Sequence, residues 1–330
     1  MIEAFRFSTG DLPEEEAFRT YQDLYGPGAD VIVSQRPFTA QLTAFRLDRL
    51  ILFDRRLRGV GHARTKARVV DNGFSHFALH LVVEGEMLGS AESRFARAGP
   101  GDVVLQDLRL PSQNQIPDAR VITVSVARDL IEAAAGTSNG LHGQLLPPSR
   151  SGLLGDYLQS IAHRAGELSR DALPQVSRSF VNLLGLAIAP TGAGATASRR
   201  LDEFERRDAV QRAIEQRLTD PRLDVSAIIA ATGISRATLY RLLRVYGGVE
   251  NFITDRRLGA VRLALSDRSE SASVEDLARK YSFRSLADMR TRFRQRFGIT
   301  PTAYRQMIDE PGRELEAIKR QWASWMIEVR

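Results

Sequence analysis

Cysteine is absent from this 330-residue chain, and long apolar runs are absent too. Without cysteine there is no disulfide bond, no thiolate zinc finger and no thiol-based catalysis, and the composition is compatible with a reducing cytosol. No stretch approaches the roughly 20 apolar residues that a membrane-spanning helix needs. The N-terminal segment is acidic and interrupted, unlike a signal peptide. We therefore expect a cytoplasmic protein with no membrane partner.

Residue combinations that carry catalysis are missing as well. Five histidines are present, but His76 and His80 are four residues apart, whereas a metal site on a β-strand uses histidines two apart. The chain has neither a Gly-x-Ser-x-Gly elbow nor a phosphate-binding glycine loop. We therefore expect no enzymatic activity, no bound metal and no cofactor.

Positive charge is concentrated in one part of the chain. The net charge is +6, and residues 206–305 contain 20 basic and 11 acidic residues, a local charge of +9 that leaves −3 for the rest. A basic half beside a slightly acidic half is typical of a nucleic-acid-binding domain joined to a domain with another role.

The stretch Gly233–Tyr246 has the pattern of a recognition helix. Val225–Thr232 predicts a short apolar helix, Gly233 a turn, and Ser235 the N-cap of the next helix. The apolar side chains fall on one side of that helix: Leu239, Leu242, Leu243 and Tyr246. The opposite side carries a small residue and two arginines: Ala237, Arg241 and Arg244. Such a face suits the major groove of DNA.

A second copy of the pattern follows about 49 residues later. Ser273 with Asp276 predicts a capping box for a helix at Val274–Lys280, and Tyr281–Arg284 predicts the turn. Ser285 and Asp288 open the next helix in the same way. Its apolar stripe is Met289, Phe293 and Phe297, and its outward face is Ala287, Thr291 and Arg294, with Arg290 and Arg292 on the flanks. Gly298 is expected to end this helix, and Thr300-Pro301 to begin another.

These motifs together resemble the AraC/XylS family of transcriptional regulators. The tail Phe293–Arg305 (FRQRFGITPTAYR), the first motif and the joining stretch Arg256–Leu265 all match the family over about 100 residues. Two positions depart from it: the family usually has a Cys-Gly-Phe-like turn where this chain has Tyr281-Ser282-Phe283, and usually a basic residue at Thr291. The second recognition helix is therefore predicted to read its half-site less specifically than the first.

The resemblance and the outward faces together give a set of candidate DNA-binding residues. Arg241 is the predicted direct reader of a base edge, with Tyr240 and Ala237 beside it. The full set is Arg236, Ala237, Tyr240, Arg241, Arg244, Arg284, Leu286, Ala287, Arg290, Thr291, Arg292 and Arg294. Within it, the predicted phosphate contacts are Arg236, Arg244, Arg284, Arg292 and Arg294.

Residues from Asp30 to about Ala127 form short β-like segments. VIVSQ, LTAFRLDRLILFDRRL, ALHLVVEGEM, DVVLQDL and VITVSVA are separated by predicted turns at Gly59/Gly61, Asp71-Asn72-Gly73 and Gly99–Asp102. This layout predicts an antiparallel barrel or sandwich, and it resembles the cupin-like sensor domain that often precedes the DNA-binding module. Candidate ligand contacts in its lining are Phe53, Phe74, Phe77 and Phe95.

Helices are predicted around this region. Pro13–Tyr25 precedes the strands, and Asp129–Ala135, Gly152–Leu168 and Pro174–Ala189 follow them, to pack on the barrel or to form a dimer contact. Ala189–Ser198 is a small-residue, glycine-rich stretch that predicts a flexible linker. Pro311–Arg330 predicts a last amphipathic helix containing Trp322 and Trp325, for core packing or for binding a partner.

The predicted fold class is therefore α+β with two domains. The expected boundaries are 1–190 for a cupin-like sensor and dimerisation domain, 191–205 for the linker, 206–306 for the double helix-turn-helix domain and 307–330 for the C-terminal helix. The expected function is a nucleoid-associated, sequence-specific regulator or activator that binds a double-stranded operator, RNA polymerase and a small-molecule effector as a homodimer. Two alternatives stay open: an N-terminal domain that only dimerises or binds a protein, and a cupin-like enzyme fused to DNA-binding helices.

Overall fold

The computed structural model describes residues 2, 4–10, 12–26, 28–72, 74–91, 94–188, 206–207, 209–266, 271–297 and 299–309. These residues divide into two compact units, one within residues 1–201 and the other within 202–317. The predicted linker, the predicted helix end at Gly298 and residues 310–330 of the predicted C-terminal helix lie outside the described residues. None of the helices in the described part of the chain is long and apolar enough to cross a membrane.

The first unit is built on an antiparallel sheet, as the sequence predicted. Its strands are β1 (Ala4–Ser8), β2 (Asp30–Val33), β3 (Thr39–Leu47), β4 (Leu50–Arg64), β5 (Phe77–Gly85), β6 (Met87–Ser90), β7 (Arg97–Ala98), β8 (Val103–Asp107), β9 (Ser112–Val126) and β10 (Gln144–Leu146). The main order is β1-β3-β4-β9-β5-β8-β10, with β2 on β4 and β6 on β9. Among the described strands this order is open, with β1 and β10 at its ends.

Gly59 and Gly61 were predicted to form a turn, and that prediction was wrong. Both lie within β4, which pairs with β3 up to Arg58 and with β2 from Val60 onward. Gly59 has a φ of 68°, and a Cβ there would lie 2.0 Å from the carbonyl oxygen of Gln35. The glycine therefore allows one long strand to change partners where two chains come close.

The remaining turn predictions had mixed outcomes. Residues 71–72 belong to a helix, α2 (Lys66–Asn72), which the sequence analysis missed, and Gly73 lies outside the described residues. The turn at Gly99–Asp102 is confirmed, since the amide of Asp102 donates to the carbonyl of Gly99 over 3.0 Å. Strand β1 and the first half of β9 were also not predicted, because their polar residues weaken the apolar alternation.

The sheet has an apolar core on each face. The inner face carries Leu57, Val82 and Val121, and helix α1 (Glu14–Tyr25) packs on it through Ala17 and Tyr21. The outer face is covered by α4 (Pro148–Arg164), where a Cβ on Gly155 would lie 3.4 Å from Leu81. Two further helices, α3 (Arg128–Ala135) and α5 (Leu173–Ile188), bury apolar stripes beside α4. The four predicted helices of this unit therefore exist, within a few residues of their predicted bounds.

The second unit is helical. Residues 209–215 form α6, followed by α7 (Val225–Thr232), α8 (Arg236–Leu243), α9 (Val249–Ser266), α10 (Val274–Lys280), α11 (Leu286–Phe297) and α12 (Pro301–Asp309). It has two apolar cores, one after the other along the chain. The first contains Val210, Ile228, Leu239 and Phe252, and the second contains Val261, Leu277, Met289 and Phe293. Helix α9 contributes to both cores, so it joins the two halves of the unit.

Three of the buried histidines in the sheet unit, His62, His76 and His80, are held in their neutral form. Burial and the nearby Arg55 lower the pKa of His62 to about 4 and the pKa of His80 to about 3. Burial, Arg64 and Arg128 lower the pKa of His76 to about 3. Each histidine has an ordinary pKa near 6.5 once the chain unfolds, so between pH 6.5 and 4 the unfolded chain binds more protons than the folded one.

We therefore expect the sheet unit to lose stability as the pH falls below about 6.5, and to be insensitive to these groups above it. At pH 5 each of the three histidines should cost about 2 kcal/mol of unfolding free energy. Urea unfolding followed by the β-sheet signal in circular dichroism, at pH 7.5 and at pH 5, measures the loss. His80→Gln cannot take up the proton and should reduce the pH dependence, whereas His163→Gln, at an exposed position on α4, should not. An unchanged pH dependence in His80→Gln would contradict the assignment of a neutral His80.

Candidate nucleic-acid interface

The first helix-turn-helix is formed by α7, a tight turn and α8. Asp224 caps α7 by accepting the amide of Ala227 over 2.8 Å. Gly233 ends the helix in the left-handed region, with a φ of 68°, and its amide donates to the carbonyl of Ile229. Ser235 then caps α8 by accepting the amide of Thr238 over 3.3 Å. The predicted cap and turn are confirmed, and they fix the angle at which α8 leaves the core.

Helix α8 separates buried and exposed side chains as the helical wheel predicted. Leu239, Leu242 and Leu243 are buried in the first core of the unit. The predicted DNA-binding residues of this copy are all exposed: Arg236, Ala237, Tyr240, Arg241 and Arg244. Tyr240 is notable because its aromatic side chain is 47% exposed. Its ring is available for an apolar contact with a partner.

The second helix-turn-helix has the same construction. Ser273 and Asp276 form the predicted capping box, in which Ser273 Oγ accepts the amide of Asp276 over 3.1 Å and Asp276 accepts the amide of Ser273 over 3.2 Å. After the turn, Ser285 caps α11 by accepting the amide of Asp288 over 3.1 Å. Met289 and Phe293 are fully buried, and Thr300 accepts the amide of Ala303 at the start of α12.

The two recognition helices correspond residue by residue, 50 positions apart. The N-cap of one is Ser235 and that of the other Ser285. In each helix the exposed face repeats at i, i+3, i+4 and i+7, with Ala237, Tyr240, Arg241 and Arg244 in α8 and Ala287, Arg290, Thr291 and Arg294 in α11. The spacing of 50 agrees with the predicted repeat of about 49 residues. Thr291 is the counterpart of Arg241, and Arg290 is the counterpart of Tyr240.

Arg290, which the sequence places on a flank of the outward face, is exposed beside Ala287, Thr291 and Arg294. Arg292 does lie to the side, where its Nε donates to Asp288 over 2.7 Å and forms an i, i+4 ion pair. Leu286 is half-buried in the second core, and Arg284 in the preceding turn is exposed.

A cluster of hydrogen bonds connects the two copies. Arg257 of α9 donates through Nε to the carbonyl of Leu218 (2.9 Å), through one terminal nitrogen to Asp220 (2.8 Å) and through the other to Ser282 (3.2 Å). Ser282 Oγ in turn donates to the carbonyl of Thr219 over 3.0 Å. Residues 218–220 precede the first motif and Ser282 lies in the turn of the second. Arg257 and Ser282 therefore fix one motif against the other.

Ser282 is a residue for which the sequence analysis had noted only a departure from the family pattern. Its φ of 55° lies in the left-handed region, where glycine is usual and serine is strained. The hydrogen bond to Thr219 offsets part of that strain. Arg257 was not predicted at all, because nothing in the sequence identifies the backbone carbonyls that it binds.

The four predicted ligand-contacting phenylalanines do not come together. All four are buried, but Phe53 and Phe95 face the inner side of the sheet, whereas Phe77 points to the other side, where Arg128 lies 4.7 Å from its ring centre. Phe74 precedes β5 and its ring lies against His76. They do not form one binding site.

A polar cluster inside the sheet unit was missed by the sequence analysis. Arg55 on β4 is 5% exposed and faces inward with Tyr25, His80 and Thr123. Gln106 accepts from His80 on the far side, over 3.2 Å. The signal was present in the sequence, because Arg55 alternates with the inward-facing Phe53 and Leu57. A charged residue at an inward position of a strand is a candidate for function.

Comparison with known proteins supports the helix-turn-helix geometry. Residues 228–307 match a family described as a helix-turn-helix domain. The chain is 27% identical over 252 residues to the transcriptional activator NphR of Rhodococcus sp., across 74% of this chain and 73% of NphR. The crystal structure of the AraC-like transcriptional activator CuxR has the same fold, with a TM-score of 0.53 and 24% identity over 84% of this chain and 100% of CuxR.

The family match covers both capped motifs and the helix α9 between them, and the similarity to NphR and CuxR extends into the sheet unit. The chain is a DNA-binding transcriptional regulator with an AraC-type helix-turn-helix domain in its C-terminal part.

Proposed function

We propose that α8 and α11 enter adjacent major grooves of one double-stranded operator. The observation that carries this proposal is the pair of matching exposed faces, 50 residues apart, on helices with the same caps and the same buried stripe. Adjacent major grooves on one side of DNA are about 34 Å apart, so two helices held rigidly in one unit serve one operator. The unit that does this corresponds to residues 206–306, and the sensor domain to residues 1–190.

The exposed residues divide into those that contact base edges and those that contact phosphates. Arg241 reads a guanine edge in the first groove, with Tyr240 and Ala237 in apolar contact beside it. In the second groove Arg290, Thr291 and Ala287 take the corresponding positions, with Leu286 at the helix start. Arg236, Arg244, Arg284 and Arg294 lie at the margins of these faces and neutralise phosphates. Arg292 is the weakest phosphate candidate, because its ion pair with Asp288 has to be exchanged for one with DNA.

Arg257 and Ser282 position the two readers without touching DNA. Binding of the first helix places the second near its groove at a high effective concentration only while the two motifs are held together. The hydrogen bonds that Arg257 donates to the carbonyls of residues 218, 220 and 282 supply that connection.

Regulation requires further partners. The similar proteins NphR and CuxR are named activators, which supports an activator that contacts RNA polymerase. A homodimer fits the exposed leucines Leu153 on α4 and Leu186 on α5, each 63% exposed. The sheet unit is proposed to bind a small effector and not to catalyse a reaction, and the polar cluster around Arg55 supports the effector.

Removal of the connection between the motifs should weaken binding to the full operator selectively. Arg257→Ala is expected to lower full-operator affinity by about tenfold, and to leave affinity for DNA with one half-site unchanged, because only the coupling is lost. Fluorescence anisotropy with both DNAs measures this. Arg256→Ala is the matched control, since Arg256 on α9 pairs with Glu215 on α6 and makes no bond to the second motif among the described residues. Equal losses on full and half-site DNA would contradict a positioning role for Arg257.

Phosphate contact by Arg244 should be visible in the salt dependence of binding. Arg244→Ala is expected to reduce the slope of log K against log salt by about 0.9, equally for operator and random DNA. Arg222→Ala, which removes an arginine whose side chain is 92% exposed outside both recognition helices, should leave the slope unchanged. A wild-type slope in Arg244→Ala would show that Arg244 does not contact phosphate.

Base readout by Arg241 should appear as a loss of sequence preference. Arg241→Ala is expected to cost about 1–3 kcal/mol on the operator and to relax preference at one base position, with little change on random DNA. Affinities for the operator and its single-base variants, at one fixed salt concentration, provide the measurement. If Arg290→Ala erased a defined base preference and Arg241→Ala did not, α11 would be the main reading helix.

A further inference from the structure

Arg55 is a buried cation with no counter-ion in the described part of the chain. Its side chain lies on the inner face of the sheet unit, where the whole residue is 5% exposed. Its guanidinium contacts neutral groups: the hydroxyl of Tyr25 (3.4 Å), Nδ1 of His80 (3.4 Å) and the hydroxyl of Thr123. Among the described residues no aspartate or glutamate forms an ion pair with it. A buried charge in this state is costly to the fold.

The neighbouring ionisable groups do not relieve that charge. His80 Nε2 donates to Gln106 Oε1, so Nδ1 is left as the acceptor and the ring is neutral. His62 is held on the other side by Tyr21 (2.9 Å) and Asn114 (3.0 Å). The positive charge of Arg55 contributes to lowering the pKa of both histidines, as given above. The cluster as a whole therefore retains one positive charge.

The cluster also has more donors than acceptors. The Nε of Arg55 and the Nε2 of Gln106 are both buried and have no acceptor among the described residues. Both are hydrogen-bond donors, and an oxygen-bearing anion at Arg55 satisfies its Nε and balances its charge at the same time. A positively charged, hydrogen-bonding guanidinium matches a carboxylate in particular, because the two planar groups pair with parallel hydrogen bonds.

The surroundings of the cluster are apolar. Along the same inner face lie Leu57, Val82, Met87, Val104 and Val121, and α1 contributes Tyr21, which packs on Phe38 with ring centres 5.4 Å apart. A ligand held here at its charged end has aliphatic and aromatic side chains against the rest of its surface. The chemistry therefore favours an organic anion with an apolar body over a sugar or an inorganic ion.

We propose that the sheet unit binds a small apolar monocarboxylic acid, with its carboxylate on Arg55 and its body against the inner face beneath α1. This inference rests on the proposed function, in which the sheet unit receives an effector. It assigns the chemical class of that effector and the residue that selects it.

The test is thermal stability of the full chain with matched acids and amides. Acetate, hexanoate and benzoate are compared with acetamide, hexanamide and benzamide at constant ionic strength and pH 7.5. A saturable rise in the melting temperature of the sheet unit is expected for the acids, of about 5 °C at about 100 times Kd, and none for the amides. Among the three acids acetate has the smallest apolar body, so the series also measures what that body contributes.

Variants at two neighbouring strand positions identify the residue. Arg55→Met should abolish the response to acids and melt at or above the wild-type temperature without ligand, because it removes an uncompensated buried charge. Arg55→Lys keeps the positive charge and should retain a weakened response to the acids. This variant provides the test if Arg55→Met does not fold. Arg56→Met is the control, since Arg56 is exposed on the opposite face, where it pairs with Glu84; its response should equal that of wild type.

Each result decides the inference. Equal shifts with acids and amides, no shift with any acid, or an unaltered response in Arg55→Met would overturn it. Operator binding is measured in parallel to separate it from the proposed function. A chain that binds DNA but ignores all three acids refutes the carboxylate site alone, and a chain that binds the acids through Arg55 but no DNA refutes the proposed operator contacts alone.

Discussion

Four hydrogen bonds around residues 218–220 hold the DNA-binding unit in one arrangement. Arg257 supplies three of them and Ser282 the fourth, and every acceptor is a backbone carbonyl. A recognition helix of eight residues is too short to be stable alone, so its direction is set by what it packs on. The two helices can address one operator only if their supporting cores keep a fixed relation, and α9 with these bonds provides it.

The sheet unit holds polar side chains on the inner face of its sheet. Its long strands β4 and β9 pair along almost their whole length, from Leu50–Val126 to Arg64–Ser112, and they give the inner face a rigid wall. On that wall the chain places an arginine, two neutral histidines and two tyrosines of α1. Polar groups in such a position weaken the core unless they are satisfied. Their presence indicates selection for a property other than stability.

Local sequence signals predicted the helical unit well because the forces that create it are local. Serine caps act within three residues, and Gly233 ends a helix through its own backbone freedom. The outward faces also followed from periodicity. The equivalent caps Ser235 and Ser285 set the register between the two helices.

The sequence by itself determined the class of each unit, the two capped motifs, the buried stripes and the sign of the charge on the DNA-binding part. These depend on residue type and on spacings of a few positions, which the chain displays directly. Only the tertiary structure decided which carbonyls Arg257 binds, that Gly59 lies within a strand, and that Arg55 meets Tyr25, His80 and Thr123. Those contacts join residues between 25 and 68 positions apart, and such pairings follow from strand register and helix packing rather than from any local pattern.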